Sequence, residues 1–233
     1  MIDDVVSFFP TLLQGAWVTI KITAGAALLG VICAFASGLA GVSANPALRG
    51  VSRVYVEFFR GTSALVQLFW LFFALPLVGF RLPALAAGIA TLGLNIGSYG
   101  SEVVRGAIKA VPRSQYEATV SLNMTGYRRM RSVILPQAVV GMLPPFGNLF
   151  IELLKGTSLV SLITISELTF RAQTLRQTTG ETATIFLMVL VMYFAMAYSI
   201  TLGMRFLERR AASSVGLGKI RIPRDRIRVA EPV

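Results

Sequence analysis

Five stretches of this chain run without a charged side chain for long enough to cross a bilayer, and few architectures tolerate that. They are residues 22–42, 61–80, 82–101, 132–151 and 182–204. A run of about 20 residues makes a helix of about 30 Å, the thickness of the hydrocarbon core. In lipid, backbone N–H and C=O groups must find partners inside the protein, so such segments become helices. The expected fold is all-α, an integral membrane bundle of five transmembrane helices. Composition agrees: 55% of the 233 residues are hydrophobic and 14% charged, too little charge to cover a soluble domain.

The first run holds Gly25, Gly30, Gly38 and Gly41, which permit close helix contact. Its helix is expected to begin nearer Leu12, with Lys21 snorkelling to an interface. Only Arg81 separates the second run from the third, which Pro83 opens. Region 132–166 reads literally as two short spans. Pro144 and Pro145 favour instead a break there, followed by one helix to about Leu162 with Glu152 and Lys155 facing inward. The N-terminus lacks the basic region of a cleavable signal peptide. Residues 1–210 are taken as the membrane domain and 211–233 as a basic tail that is solvated or rests on lipid headgroups.

A net charge of +11 without His invites a nucleic-acid reading, but the cations sit where membrane topology puts them. Seventeen of the 22 Lys and Arg fall in 43–60, 105–131 and the tail from Arg205. The positive-inside rule puts these segments in the cytoplasm, so the C-terminus is inside and the N-terminus outside. The single Cys33 lies in an apolar run and is expected to pack as a small apolar side chain. With one Cys and no His, no metal or haem site is expected.

Between the third and fourth runs lies the most polar stretch of the membrane region, 117–136. It opens Glu117-Ala118-Thr119, reaches Asn123, and closes Val133-Ile134-Leu135-Pro136. Small Ala118 and Thr119 allow another surface to approach closely. Asn123 suits a left-handed turn between two short helices, and Leu135-Pro136 is expected to end the segment. This spacing resembles the cytoplasmic coupling loop of the membrane subunits of bacterial ATP-binding-cassette importers. There the pattern is Glu-Ala-Ala, three residues, Gly, nine residues, Ile, one residue, Leu-Pro. Thr119, Asn123 and Val133 depart from it mildly.

The resemblance implies that a loop of about 106–136 docks on a cytoplasmic ABC ATPase dimer through Glu117, Ala118, Thr119, Asn123, Leu135 and Pro136. It also implies a second permease subunit, identical or different, and an extracytoplasmic substrate-binding protein, in a bacterial inner membrane. ATP and Mg would belong to the ATPase. No cofactor is expected on this chain, which has neither a phosphate-loop sequence nor a His-based triad, and so no catalytic residue of its own.

Two stretches are candidates for a substrate path. Asn95, Tyr99 and Glu102 are spaced to share one helix face. Glu152 and Lys155 can pair at i,i+3, with Thr157 and Ser158 following. Ionisable groups at membrane depth mark either a pathway or a structural lock. Together with Tyr55 to Thr62 and Glu167-Leu168-Thr169, these stretches resemble the polar amino acid branch of the importer permeases, although Ser63 and Gly156 depart from it. Segments 57–73 and 163–173 are most similar to permeases for ectoine and hydroxyectoine. The competing class is a secondary transporter or channel subunit driven by an ion gradient; it leaves the 117–136 spacing without a purpose.

Overall fold

The computed structural model describes residues 2–214, with side chains from Ser7 to Ser213; the expected basic tail lies almost wholly outside them. Among the described residues all regular structure is helical. Helix α1 (Ile2–Gly41) leads to α2 (Pro46–Gly61), then α3 (Ala64–Phe69), α4 (Ala84–Ala110), α5 (Arg113–Ser121), α6 (Gly126–Arg129), α7 (Leu135–Gly156), α8 (Leu168–Thr179) and α9 (Thr182–Ser214).

The packing is organised by α1 against α4, the most extensive helix pair. The two run in the same direction, with Gly25 opposite Ile89 and Gly38 opposite Val104. A Cβ on Gly38 would come within 2.6 Å of the Val104 Cβ, and one on Gly97 within 2.8 Å of the Cys33 Cβ. These glycines let the backbones approach closely, the packing that replaces hydrophobic expulsion in lipid. Because α1 and α4 are parallel, residues 42–83 must carry the chain back to the level where α1 began. Helix α7 runs antiparallel to α4: Val160, just past its end, lies against Gly88, and Ile134, just before its start, shares a core with Val104 and Ile108. At one end of the bundle, Phe8 and Leu12 of α1 pack with Leu168 and Ala172 of α8 and Ile185 and Val189 of α9.

Three helical runs are long and apolar enough to cross a membrane: Ser7–Gly41, Gly126–Ile163 and Thr182–Ser213. A fourth is available if the bent pair Pro46–Gly61 and Ala64–Val78 counts as one span. Helix α4, 27 residues long, is not among them by composition. It spends its surface on other helices and carries Thr91, Ser98, Ser101 and four buried glycines where a lipid-facing helix would carry Leu or Ile.

Three expectations need correction. The uncharged run 61–80 is not one helix: the chain turns through 101° after Gly61. Thr62 and Ser63 are extended there, and Pro76 and left-handed Gly79 close the segment in a 3-10 turn. Nor does Leu135-Pro136 end a helix. The chain is helical from Gly126 through Ile163, because a wide π turn over Met130–Ile134, with the Leu135 N–H on the Met130 carbonyl, precedes Pro136. That widening relieves the clash a proline ring makes with the carbonyl four residues earlier. Pro144 and Pro145 do not break α7 either. Val140, Gly141 and Pro145 border a cavity of about 640 Å³ between α7 and α4, where backbone groups released by proline need no helix neighbour.

Candidate functional site

The loop after α4 is anchored at both roots. Val111 is buried and shares a core with Ile108, Ile134 and Ala138, while the Tyr116 hydroxyl donates to the Ile108 carbonyl at 3.1 Å. Pro112 starts α5, and an exposed Arg113–Glu117 ion pair at 2.9 Å braces its first turns. At its end Asn123 is left-handed, with φ 53°. The Asn123 and Met124 N–H groups bond back to the Val120 and Thr119 carbonyls, satisfying groups that a helix end otherwise orphans. Thr125 then caps α6.

What this loop presents is a small ridge. Ala118 and Asn123 are exposed, as are Val120 (60%), Leu122 (74%) and Tyr127. Thr119 is not on it. Its side chain is 2% exposed and its hydroxyl donates to the Tyr116 carbonyl, so the expectation that Thr119 offers a docking surface is corrected: it packs inward, where a hydroxyl can be satisfied locally. Leu135 is half-buried at the root of α7, and Pro136 is exposed.

The candidate path residues separate into two groups. Asn95, Tyr99 and Glu102 share the face of α4 turned toward α2, as their spacing predicts. Asn95 donates to the Phe59 carbonyl at 3.0 Å and lies 3.4 Å from the Gln67 oxygen. Gln67 in turn donates to the Phe59 and Thr62 carbonyls, so this group clamps the α2–α3 bend. The Arg60 guanidinium lies 5.3 Å over the Tyr99 ring, and Glu102 is ion-paired with Arg105.

Glu152 and Lys155 behave otherwise. Both are exposed on one face of α7 together with Asn148. Glu152 and Lys155 are spaced to pair, yet no ion pair joins them: the ion pairs among the described residues are Glu102–Arg105 and Arg113–Glu117. The expectation that Glu152 and Lys155 face inward is corrected: that side of α7 is filled by Leu153, Leu154 and Met142. Thr157 and Ser158 close the end of α7, donating to the Leu154 and Lys155 carbonyls at 2.7 and 2.9 Å.

Residue-level reading missed Glu167 as a site and quoted it only within a resemblance. Its side chain is fully buried. One oxygen caps α8 by accepting the Phe170 N–H at 2.8 Å. The other accepts from the Tyr193 hydroxyl of α9 at 3.2 Å and lies 3.4 Å from the Thr19 hydroxyl of α1, which itself accepts the Leu168 N–H. Burial pushes the Glu167 carboxyl above its usual value, partly offset by the Thr169 and Phe170 amides and the two hydroxyls. The signal was a carboxylate just before a helix, with hydroxyls at 19 and 193 in otherwise apolar runs.

The fold is thus a helical bundle from which a two-rooted loop with an exposed ridge projects. Residues 26–213 match the family of binding-protein-dependent transport system inner membrane components, and the chain belongs to that family. It is 50% identical over 201 residues to a probable amino-acid ABC transporter permease of Sinorhizobium fredii, covering 84% of each chain. Over 205 residues it is 36% identical to the L-cystine transport system permease TcyB of Bacillus subtilis, covering 88% of each. The glutamine transport system permease GlnP of Escherichia coli is 33% identical over 207 residues, covering 86% of this chain and 93% of that one. Among solved structures, an amino acid ABC transporter crystallised with histidines superposes with a TM-score of 0.82 at 34% identity, over 89% of this chain and 97% of that one. The MetNI methionine transporter in an inward-facing form shares the fold, with a TM-score of 0.73 at 22% identity over 87% and 97%. The chain is thus a multi-pass permease subunit of an ABC importer, not itself an enzyme.

Proposed function

We propose that this permease passes a polar amino acid, or an amino-acid-like compatible solute of the ectoine and hydroxyectoine kind, into the cytoplasm. The observation that carries the reading is the exposed, self-braced ridge from Glu117 to Asn123. Its turn is locked by hydrogen bonds of its own, so it is a rigid part awaiting another surface. That surface belongs to a cytoplasmic ABC ATPase dimer, which binds ATP and Mg. Its closure moves the ridge, and through α4 and α7 the bundle alternates between inward- and outward-facing states. The loop and the C-terminus are cytoplasmic and the N-terminus external, in keeping with the distribution of Lys and Arg. An extracytoplasmic binding protein delivers the solute, and a second permease subunit completes the pathway.

The relatives named for amino acids, cystine and glutamine support the substrate class. The exposed Glu152 and Lys155 of α7 supply opposite charges for a zwitterion, and charges at membrane depth belong against a partner or an aqueous path and not against lipid. The test is uptake by the reconstituted complex with its binding protein. Ala118→Asp places an unpartnered carboxylate at the docking surface and should leave ATP hydrolysis running without uptake; normal coupling in that variant refutes the docking role. Labelled ectoine set against labelled glutamine and cystine then decides the solute.

A further inference from the structure

Among the longer described helices α2 has the sharpest division of polar and apolar faces, and lipid contact accounts for its apolar face but not for its row of arginines. Ser52 and Val56 form its buried side; the Ser52 hydroxyl donates to the Ser37 carbonyl of α1 at 2.8 Å. Beside that arc stand Arg49, Arg53 and Arg60. With Arg105 and Lys109 of α4 they border a cavity of about 460 Å³ that opens at the surface.

Five cations around one cavity face only two acids, Glu57 and Glu102. Glu102 is already taken by Arg105. Arg49 donates to the Ser43 carbonyl and Arg60 lies on the Tyr99 ring; neither forms an ion pair, although Arg60 and Lys109 both stand close enough to Glu102 to feel its charge. Arg53 and Lys109 have neither an ion pair nor a hydrogen-bond acceptor among the described residues. The cavity therefore carries an excess of positive charge, which draws anions to it. The opposite arc of α2 exposes Val51, Val54 and Phe58, and no described residue covers them.

We propose that this cavity is a phosphate site for an anionic phospholipid, with the headgroup phosphate among Arg49, Arg53 and Lys109. A basic recess between two helices of a membrane bundle, open at the surface, matches an anionic headgroup, the chemistry by which membrane proteins hold such lipids. Placing the lipid in the inner leaflet rests on the orientation proposed above; the site itself does not.

The experiment is native mass spectrometry of the assembled transporter released from nanodiscs of phosphatidylglycerol or of phosphatidylcholine. Both leaflets are then alike, so a wrong orientation leaves the result unchanged. The intact complex should retain phosphatidylglycerol in preference to phosphatidylcholine. Arg53→Gln and Lys109→Gln should each weaken retention about fivefold, while Arg176→Gln on α8 should not. The melting temperature of each variant is followed alongside, since these side chains are exposed and their loss should leave folding intact. Added salt should weaken retention by the unmodified protein. Inorganic phosphate is the competitor: retention that it fails to displace identifies the whole lipid as occupant, and displacement identifies the phosphate group alone. Equal retention of the two lipids, or a double Arg53→Gln, Lys109→Gln variant that holds phosphatidylglycerol as the unmodified protein does, overturns the site. So does a map of the complex with another subunit filling the cavity.

Discussion

Replacing Glu167 by Ala should be among the most damaging single changes in the chain outside its glycine seam. The carboxylate accepts the Phe170 N–H and the Tyr193 hydroxyl at a position with no exposed surface. Alanine removes the cap of α8, about 1 kcal/mol. It also strands a buried amide and a buried hydroxyl, each costing about 1 kcal/mol or more. A loss of about 3 kcal/mol corresponds to a fall of about 6 to 12 degrees in Tm for a chain of this size. The assay is thermal unfolding of the purified complex in detergent, followed by a thiol-reactive dye on Cys33 or by light scattering. Glu167→Gln keeps an acceptor for Phe170 and should recover most of the loss. Tyr193→Phe added to Glu167→Ala should cost little more, because donor and acceptor then leave together. A Glu167→Ala variant that melts within a degree or two of the parent refutes the reasoning. The sign with pH follows from the raised carboxyl. The folded chain holds this proton more tightly than the unfolded one, so its contribution is complete below the ordinary carboxylate value. It is lost as pH rises through the raised one. Glu167→Gln should remove that part of the slope, and the groups facing it, Thr19, Thr169 and Tyr193, include no cation.

Gly38→Leu should block assembly, since even a Cβ there would sit 2.6 Å from that of Val104; normal yields of folded complex on size exclusion would count against the α1–α4 seam. Asn123→Gly should keep ATP-coupled uptake, whereas Asn123→Val, forced into left-handed backbone at about 1–2 kcal/mol, should lower it in proteoliposomes. Glu152→Gln and Lys155→Met should each reduce uptake at least severalfold while the complex still assembles and hydrolyses ATP; unchanged transport kinetics in both would remove them from the pathway.

The sequence signalled the fold where lipid imposes its own rule. Uncharged runs marked α1, α7 and α9, and glycine spacing in the first run anticipated its close partner without naming it. Helix α4 was marked by length, although its Thr, Ser and Gly content shows that protein and not lipid surrounds it. The turn at Asn123 was legible because side-chain chemistry there is local. The bend after Gly61 was not: it depends on Gln67 and Asn95, which meet only in three dimensions. Prolines were over-read, since a π turn before Pro136 and a cavity beside Pro145 absorb what each would otherwise break. Glu167 stayed hidden because three separate helices make its surroundings, and the outward aim of Glu152 and Lys155 depends on which side of α7 the other helices claim.

The ridge has no slack behind it. Its first root is two residues from α4 and its second continues without interruption into α7, and both roots share one apolar core with α1. In the docking proposed above, a tug on the ridge has no flexing linker to absorb it and bears on three helices at once. A longer joint at Val111-Pro112 would act like play in a crank, wasting nucleotide turnover while every part remained in place.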